Sequence, residues 1–276
     1  MNHLHSPSSP PGPFATVPLL RRDSIGDCYH VLTFDVPNGT EAHPGQFAML
    51  RGAEWGVTPL LPRPMSYLSG GSTPSVLVKV VGEGSARLGR AQPGEQFSML
   101  GPLGNTWRAP DPQRRPLLVA GGVGVAPLLF LARQINEQGT TPVVVYGGRT
   151  ERDLPLDDDL AEVADLRLTT ENGSRGVRGR VTDVLEQLLT NNTEVYTCGP
   201  ERMMARVAEL AAARGLPCQV SLETPMACGY GVCLGCPVPS VGGGYLYACT
   251  EGPCIDASRI DWDRALLDNS QPGGTR

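Results

Sequence analysis

Four cysteines between Cys228 and Cys249 carry the most legible chemistry in this chain. Four residues separate Cys228 from Cys233, two separate Cys233 from Cys236, and Cys249 returns after twelve more. The first three match the opening of the plant-type ligand spacing for a [2Fe–2S] cluster. Gly229, Gly231 and Gly235 stand between them, where the lack of side chains lets a backbone fold tightly around a centre and turn N–H groups toward sulfur. Four thiolates also suit a structural zinc ion, for which Cys-x-x-Cys is common. The four-residue first gap and the glycine-rich loop favour the iron cluster. Two disulfides are the remoter reading, because no secretory segment opens the sequence and the chain is far larger than a stapled mini-domain.

Three further groups of residues have chemical potential. Arg63-Pro64-Met65-Ser66-Tyr67 puts a guanidinium and a hydroxyl on opposite sides of an extended strand, the first suited to bidentate pairing with a pyrophosphate and the second to a hydrogen bond with a flavin or its linker. Gly82-Glu83-Gly84-Ser85 follows a strand and opens a short helix, where backbone can approach phosphate closely. Gly121-Gly122-Val123-Gly124-Val125-Ala126-Pro127 joins a strand to a helix, but it is not the Gly-x-Gly-x-x-Gly fingerprint, because Pro127 stands at the last glycine's place. Proline there suits the first turn of a helix. A surface arginine and bare tight turns are the bland readings of these features. Cys198-Gly199-Pro200 ends a strand and starts a helix, which brings the thiol near a ligand crevice, although a buried cysteine is usually inert packing.

The elements that must position these groups fall into two patterns. From Phe14 to about Pro112, short apolar or alternating runs are separated by Pro and Gly, as expected of an antiparallel β-barrel. Pro44-Gly45-Gln46-Phe47-Ala48-Met49-Leu50 is echoed by Pro93-Gly94-Glu95-Gln96-Phe97-Ser98-Met99-Leu100, one turn-into-strand solution used twice. After Arg115 the pattern becomes strand, turn, helix, repeated from Leu117 to Leu222, with helices expected at Leu128–Gln138, around Thr182–Leu189 and over Glu201–Arg214. That alternation predicts a doubly wound parallel sheet, with the loops from Gly121, Gly147, Thr170 and Cys198 gathering at its carboxyl edge. The expected organisation is therefore β plus α/β: a lead at 1–13 that stays disordered and whose His3 and His5 are solvated, a barrel at 14–112, a nucleotide-binding sheet at 113–222, a small C-terminal cluster subdomain at 223–260 and a tail at 261–276.

At 276 residues the chain can hold two cores, and its net charge of −5 argues against nucleic acid as a partner. No apolar run approaches membrane-spanning length, and the cytoplasm is the expected compartment.

Taken in order, Arg63-Pro64-Met65-Ser66, Gly82-Glu83-Gly84-Ser85, Gly122-Val123-Gly124-Val125-Ala126-Pro127 and Cys198-Gly199-Pro200 resemble the ferredoxin reductase-like flavoproteins. Within them, Ser221-Leu222-Glu223-Thr224-Pro225-Met226-Ala227-Cys228-Gly229 and the cysteines that follow resemble the electron-transfer subunits of two-component dihydroorotate dehydrogenases, over about Phe14 to Cys254. The resemblance implies an FAD site at Arg63, Pro64, Met65, Ser66, Lys79, Val80, Gly84 and Ser85. It also implies an NAD(H) site at Gly122, Gly124, Cys198 and Gly199, and a [2Fe–2S] cluster on Cys228, Cys233, Cys236 and Cys249. Cys254-Ile255 departs from the hydrophobic pair usual after Gly252-Pro253, so Cys254 competes in principle for the fourth ligand position.

A nicotinamide delivers two electrons as hydride and an iron–sulfur cluster accepts one at a time, so a flavin between them forms a wire. The implied partner is an FMN-containing dihydroorotate dehydrogenase catalytic subunit, in a hetero-oligomer, expected as a heterotetramer, that serves pyrimidine (UMP) biosynthesis. No side chain of this chain need act as general acid or base. Other readings are a flavin and iron–sulfur NAD(P)H reductase subunit of a sulfide dehydrogenase, hydrogenase or ferredoxin-NADP reductase, and a zinc-stabilised non-enzymatic nucleotide-binding module. Glu171 leans the choice of nucleotide toward NADH, whereas Arg175, Arg178 and Arg180 nearby favour a 2′-phosphate.

Overall fold

A computed structural model describes residues 14–36 and 40–268. The expected disordered lead at 1–13, with His3 and His5, and the last part of the expected tail lie outside the described residues. The first half forms β1 (Phe14–Ile25), β2 (Tyr29–Phe34), β3 (Phe47–Gly52), β4 (Arg63–Ser69) and β5 (Ser75–Lys79), then helix α1 (Glu83–Arg90) and β6 (Gln96–Leu103). The strands close into an antiparallel barrel in the order β1-β2-β5-β4-β3-β6. Alternation drives the closure: along β6, Phe97, Met99, Gly101 and Leu103 turn inward while the residues between them are more exposed. Leu32, Phe34, Tyr67, Val76 and Val78 fill the interior, and Phe34 meets Phe97 edge to face at 5.5 Å. The echoed segments become neighbours, since β3 pairs antiparallel with β6 through Met49↔Leu100 and Leu50↔Met99. β1 is the strand hardest to read from sequence, because Pro18 and the charged run Arg21-Arg22-Asp23 interrupt it. It tolerates them by pairing with β6 along its first half and with β2 along its second, with an irregularity between Leu19 and Arg21.

The sheet that follows is built from β7 (Arg115–Gly121), a 3-10 turn (Gly122–Gly124), α2 (Val125–Glu137), β8 (Val143–Gly148), α3 (Asp157–Val163), β9 (Asp165–Thr170), β10 (Val177–Arg178), α4 (Val181–Leu188), β11 (Thr193–Cys198), α5 (Glu201–Ala212) and β12 (Cys218–Ser221). Downstream come β13 (Pro237–Pro239) and β14 (Tyr245–Tyr247), a two-stranded sheet of their own, then β15 (Cys254–Asp256) and α6 (Trp262–Asp268). The large sheet has the order β10-β9-β8-β7-β11-β12-β15, parallel except for β15 at its edge. Leu117 to Ala120 of β7 are fully buried, as expected of a central parallel strand, which reads as a continuous apolar run. Helix α2 begins three residues before the expected Leu128, so Pro127 sits in its first turn, where no N–H is needed.

The described chain divides into two compact units. One combines the barrel, up to Thr106, with Thr224–Cys236 and Tyr247–Pro253; the other combines Trp107–Glu223 with Pro237–Leu246 and the residues from Cys254 onward. The cysteine-rich region is thus shared: all four expected ligands belong with the barrel, while Cys254 belongs with the sheet.

Candidate functional site

The cysteine segment is fastened to the barrel at two points. Gly229 packs so closely that a β-carbon there would lie 2.6 Å from Met49 Cγ and 3.1 Å from Leu103 Cδ1. At the return, Asn105 donates from its backbone N–H to the Gly252 carbonyl (2.7 Å) and from its side chain to the Glu251 carbonyl (3.0 Å). Between these anchors the thiols form one interacting group. Cys236 and Cys249 are buried with their sulfurs 3.2 Å apart, and the N–H of Cys233 points at Cys228 Sγ from 3.5 Å. Burial pushes the Cys228 thiol up, but the N–H groups of Cys233, Tyr230 and Val232 and the Cys233 side chain outweigh it and bring it down to about 7. The thiol of Cys249, with the N–H groups of Cys249, Ala248 and Cys236, draws Cys236 down to about 6 against its burial. Cys249 is pushed up by Cys236, by burial and by the charge of Cys228, so the members of the set sense one another.

Soft sulfur donors with backbone N–H groups aimed at them suit an iron–sulfur centre. Among the described residues no three His, Cys, Asp or Glu side chains close on one point in ligand geometry. What the structure provides is three thiols on one loop, Cys228, Cys233 and Cys236, and a fourth, Cys249, in the turn after β14, and all eight cysteines are free thiols. Cys254 lies on β15, buried in register with Ser221, and the thiol beside Cys236 is that of Cys249. The loop turns apolar side chains outward: Tyr230, Val232 and Leu234 are 42%, 72% and 54% exposed, beside an exposed Cys233.

The second group of residues also converges on the barrel unit. β4 and β5 run antiparallel through Tyr67↔Val76, which brings the start of β4 and the end of β5 to one edge. Arg63 lies against Gly84, where a β-carbon would be 2.8 Å from its Cδ. The Arg63 guanidinium donates to the carbonyls of Pro62 and Leu61 (3.2 Å each), and among the described residues no carboxylate pairs with it. Pro64, Met65 and half-buried Ser66 follow along β4, and the Ser66 hydroxyl has no hydrogen-bond partner among the described residues. Lys79 sits with its Nζ over the Tyr29 ring at 5.2 Å, and the Val80 N–H donates to the Cys28 carbonyl. Ser85, which the resemblance puts near the flavin's phosphates, has its hydroxyl engaged within its own turn. It is buried, accepts from the N–H groups of Val81 and Gly82 (2.9 and 3.0 Å) and donates to the Gly82 carbonyl. Its hydroxyl shapes the entry to α1, leaving backbone as what this turn offers an anion.

The third group lies in the sheet unit. Setting aside the two-residue β10 and the antiparallel β15, β9-β8-β7-β11-β12 is the order 3-2-1-4-5, whose reversal falls between β7 and β11. Ligands of such sheets bind outside the carboxyl ends at that reversal. The turn after β7 and the loop after β11 meet there backbone to backbone. A β-carbon on Gly124 would lie 2.4 Å from the Cys198 carbonyl oxygen and 2.7 Å from Gly199 N, and one on Gly199 would lie 2.9 Å from Gly121 N. Beside them is a groove of about 360 Å³, lined by Gly121, Gly147, Glu171, Arg180, Pro200 and Met203 among others. Cys198 is buried at the end of β11, with its sulfur 4.0 Å from Glu223 Oε1. Burial and the negative charge of Glu223 push its thiol well above the usual cysteine range, so it stays protonated.

Of the three arginines weighed near Glu171, Arg175 is engaged by Asp157 at 2.6 Å and Asp158 at 3.4 Å, and only Arg180 lines the groove. Sequence reasoning did not single out Arg149, Thr169 or Arg202, which also line it. Their one signal was position, at or just beyond the ends of β8 and β9 and in the first turn of α5.

The chain matches the family model of an oxidoreductase NAD-binding domain over residues 118–209 and that of the iron–sulfur cluster binding domain of dihydroorotate dehydrogenase B over residues 223–261. It is 36% identical to the dihydroorotate dehydrogenase B (NAD(+)) electron transfer subunit of Geobacillus kaustophilus over 79% of this chain and 86% of that one. It is also 36% identical to the probable counterpart from Methanopyrus kandleri, over 84% of each chain. Among solved structures, one reported for an NADH-dependent reduced ferredoxin-NADP oxidoreductase, in a study of flavin-based electron bifurcation, superposes with a TM-score of 0.82 at 29% identity and 94% coverage of both chains. A ferredoxin NADP+ reductase from Neisseria gonorrhoeae with bound FAD and NADP shares the fold, with a TM-score of 0.63 at 19% identity over 73% of this chain and 92% of that one. This chain belongs to the family of dihydroorotate dehydrogenase B electron transfer subunits.

Proposed function

We propose that this chain passes electrons between NAD(H) and the FMN of a dihydroorotate dehydrogenase catalytic subunit, so that dihydroorotate is oxidised to orotate as NAD⁺ is reduced. The reading is carried by the four thiols on one loop and on the turn after β14, in the same unit as the flavin-type barrel. When bound, a [2Fe–2S] cluster supplies one-electron exchange, FAD the conversion between one- and two-electron steps, and NAD(H) the hydride. Cys228, Cys233, Cys236 and Cys249 would hold the cluster, with the N–H groups around Cys228, and the Cys249 thiol and N–H groups around Cys236, favouring the thiolate form that iron requires. Arg63, unpaired by any carboxylate among the described residues, takes the FAD pyrophosphate, with Gly84 giving it room and Ser66 free to bond the flavin. Pro64, Met65, Lys79, Val80 and Ser85 build the walls of that site. Gly122, Gly124 and Gly199 let backbone approach the nicotinamide nucleotide, and Cys198 beside them presents a neutral thiol. Glu171, at the groove, accepts from a ribose hydroxyl and disfavours a 2′-phosphate, which selects NADH. General acid–base work on the pyrimidine belongs to the partner. The compartment is the cytoplasm, where a chain with eight free thiols keeps them reduced.

A second reading, an electron-transfer subunit serving a ferredoxin-linked NADP reductase, is favoured by the 94% coverage of the bifurcating-system structure. Co-purification separates the two. Expressed with an FMN-bearing dihydroorotate dehydrogenase, the chain is expected to be recovered in stoichiometric complex and to couple dihydroorotate to NAD⁺ reduction. Val232→Asp, which places a charge among Tyr230, Val232 and Leu234, is expected to weaken that complex by roughly tenfold or more while flavin content is retained. Recovery of a different redox protein, with no dehydrogenase bound, contradicts the assignment.

A further inference from the structure

Tyr146, the residue of β8 just ahead of Gly147 and Gly148, is fully buried, yet its side chain ends in a cluster of backbone oxygens. The carbonyls of Gly122 and Pro155 both lie 3.1 Å from its hydroxyl, and that of Asp153 lies 3.4 Å away. They come from two separate loops, the turn after β7 and the connection from β8 to α3. A phenol has a single proton to donate, so these carbonyls share one donor. A phenylalanine would fill the core equally well; what the hydroxyl adds is the link between the loops.

Both linked segments border the groove. Gly122 opens the 3-10 turn with φ of 54°, and its neighbour Gly121 is part of the groove wall. Asp153 also accepts from the N–H and hydroxyl of Thr150 (3.3 and 3.4 Å) and pairs with Arg149 at 4.0 Å, and Arg149 lines the groove. Tyr146 itself does not line it.

We infer that Tyr146 is a positioning residue for the nicotinamide nucleotide: its hydroxyl fixes the Gly122 carbonyl, and with it the backbone of the turn after β7, relative to the 149–155 loop. This rests on the reading of the groove as the nucleotide site. A purely structural role would show in stability and cofactor content, whereas a positioning role shows in the KM for NADH.

Tyr146→Phe in the full chain, with flavin and iron contents measured, should raise KM for NADH about tenfold in reduction of an artificial acceptor, the scale of one net hydrogen bond, with kcat within about twofold of the parent. Gly122→Ala disturbs the same turn from the other side, since its β-carbon meets open space and only the left-handed φ is strained. The two changes act through one turn, so the double variant should raise KM by less than the product of the single effects. An unchanged KM in Tyr146→Phe, a multiplicative double variant, or insoluble Tyr146→Phe protein lacking flavin and iron would each overturn the inference. If the parent oxidises neither NADH nor NADPH, it is instead the nucleotide reading of the groove that fails.

Discussion

Cys233→Ser is expected to cut electron delivery to the FMN partner by more than about a hundredfold while NADH still bleaches the flavin. The logic rests on location. Cys233 is exposed on its loop, so the change creates no cavity and leaves the barrel untouched, unlike a substitution at buried Cys236. Its sulfur accepts from the Gly235 N–H at 3.4 Å and its own N–H faces Cys228, so it belongs to the thiol group without supporting the fold. A harder oxygen ligand in place of a thiolate weakens an iron–sulfur site severely. Stopped-flow absorbance of the purified complex follows flavin reduction by NADH and FMN reduction in the partner separately. Equal loss of both would mean that the cysteines support the structure and do not carry the transfer.

Gly124→Ala is expected to have the opposite pattern, with loss of NADH-driven flavin reduction by about a hundredfold and retention of iron and flavin. The added β-carbon would meet the Cys198 carbonyl carbon at 2.5 Å and Gly199 N at 2.7 Å, and these are backbone atoms that cannot rotate away. The loops after β7 and β11 must therefore part, at a cost of about 1–3 kcal/mol as for an overpacked core. Because Gly124 lies in the sheet unit, the residues assigned to the cluster and the flavin are left in place. Steady-state NADH oxidation, read beside a thermal melt and cofactor content, checks this. An unchanged KM and rate would show that the turn does not hold nucleotide.

The large architecture was legible because two periodicities announce themselves. Alternation over the first hundred residues gives a barrel, and apolar runs alternating with helical stretches from Leu117 give a parallel sheet. The elements that escaped were short or locally ambiguous: β1 is twelve residues long but interrupted by Pro18 and a charged run, Asp157–Val163 opens on three consecutive aspartates, and β10 and β13 to β15 are each two or three residues long. Their existence depends on what they pack against, which spacing along the chain does not encode. The cysteine spacing indicated the cluster, but the membership of Cys228–Cys236 and the Cys249 segment with the barrel, and of Cys254 with the sheet, is a property of tertiary packing. The bonds that tie the Ser85 hydroxyl to the entry of its own helix were not written in the motif, because they depend on the fold of the turn. Tyr146 had no sequence signal at all, being one more aromatic residue in an apolar strand.

The measurement that bears most directly on the central claim is the visible spectrum of the anaerobically purified full chain, with metal analysis, before and after NADH. An electron-transfer subunit of this kind shows superposed flavin and iron–sulfur absorbance with about two irons per chain, the stoichiometry of a [2Fe–2S] centre, and both features bleach on adding NADH. A colourless sample carrying zinc in place of iron would contradict it.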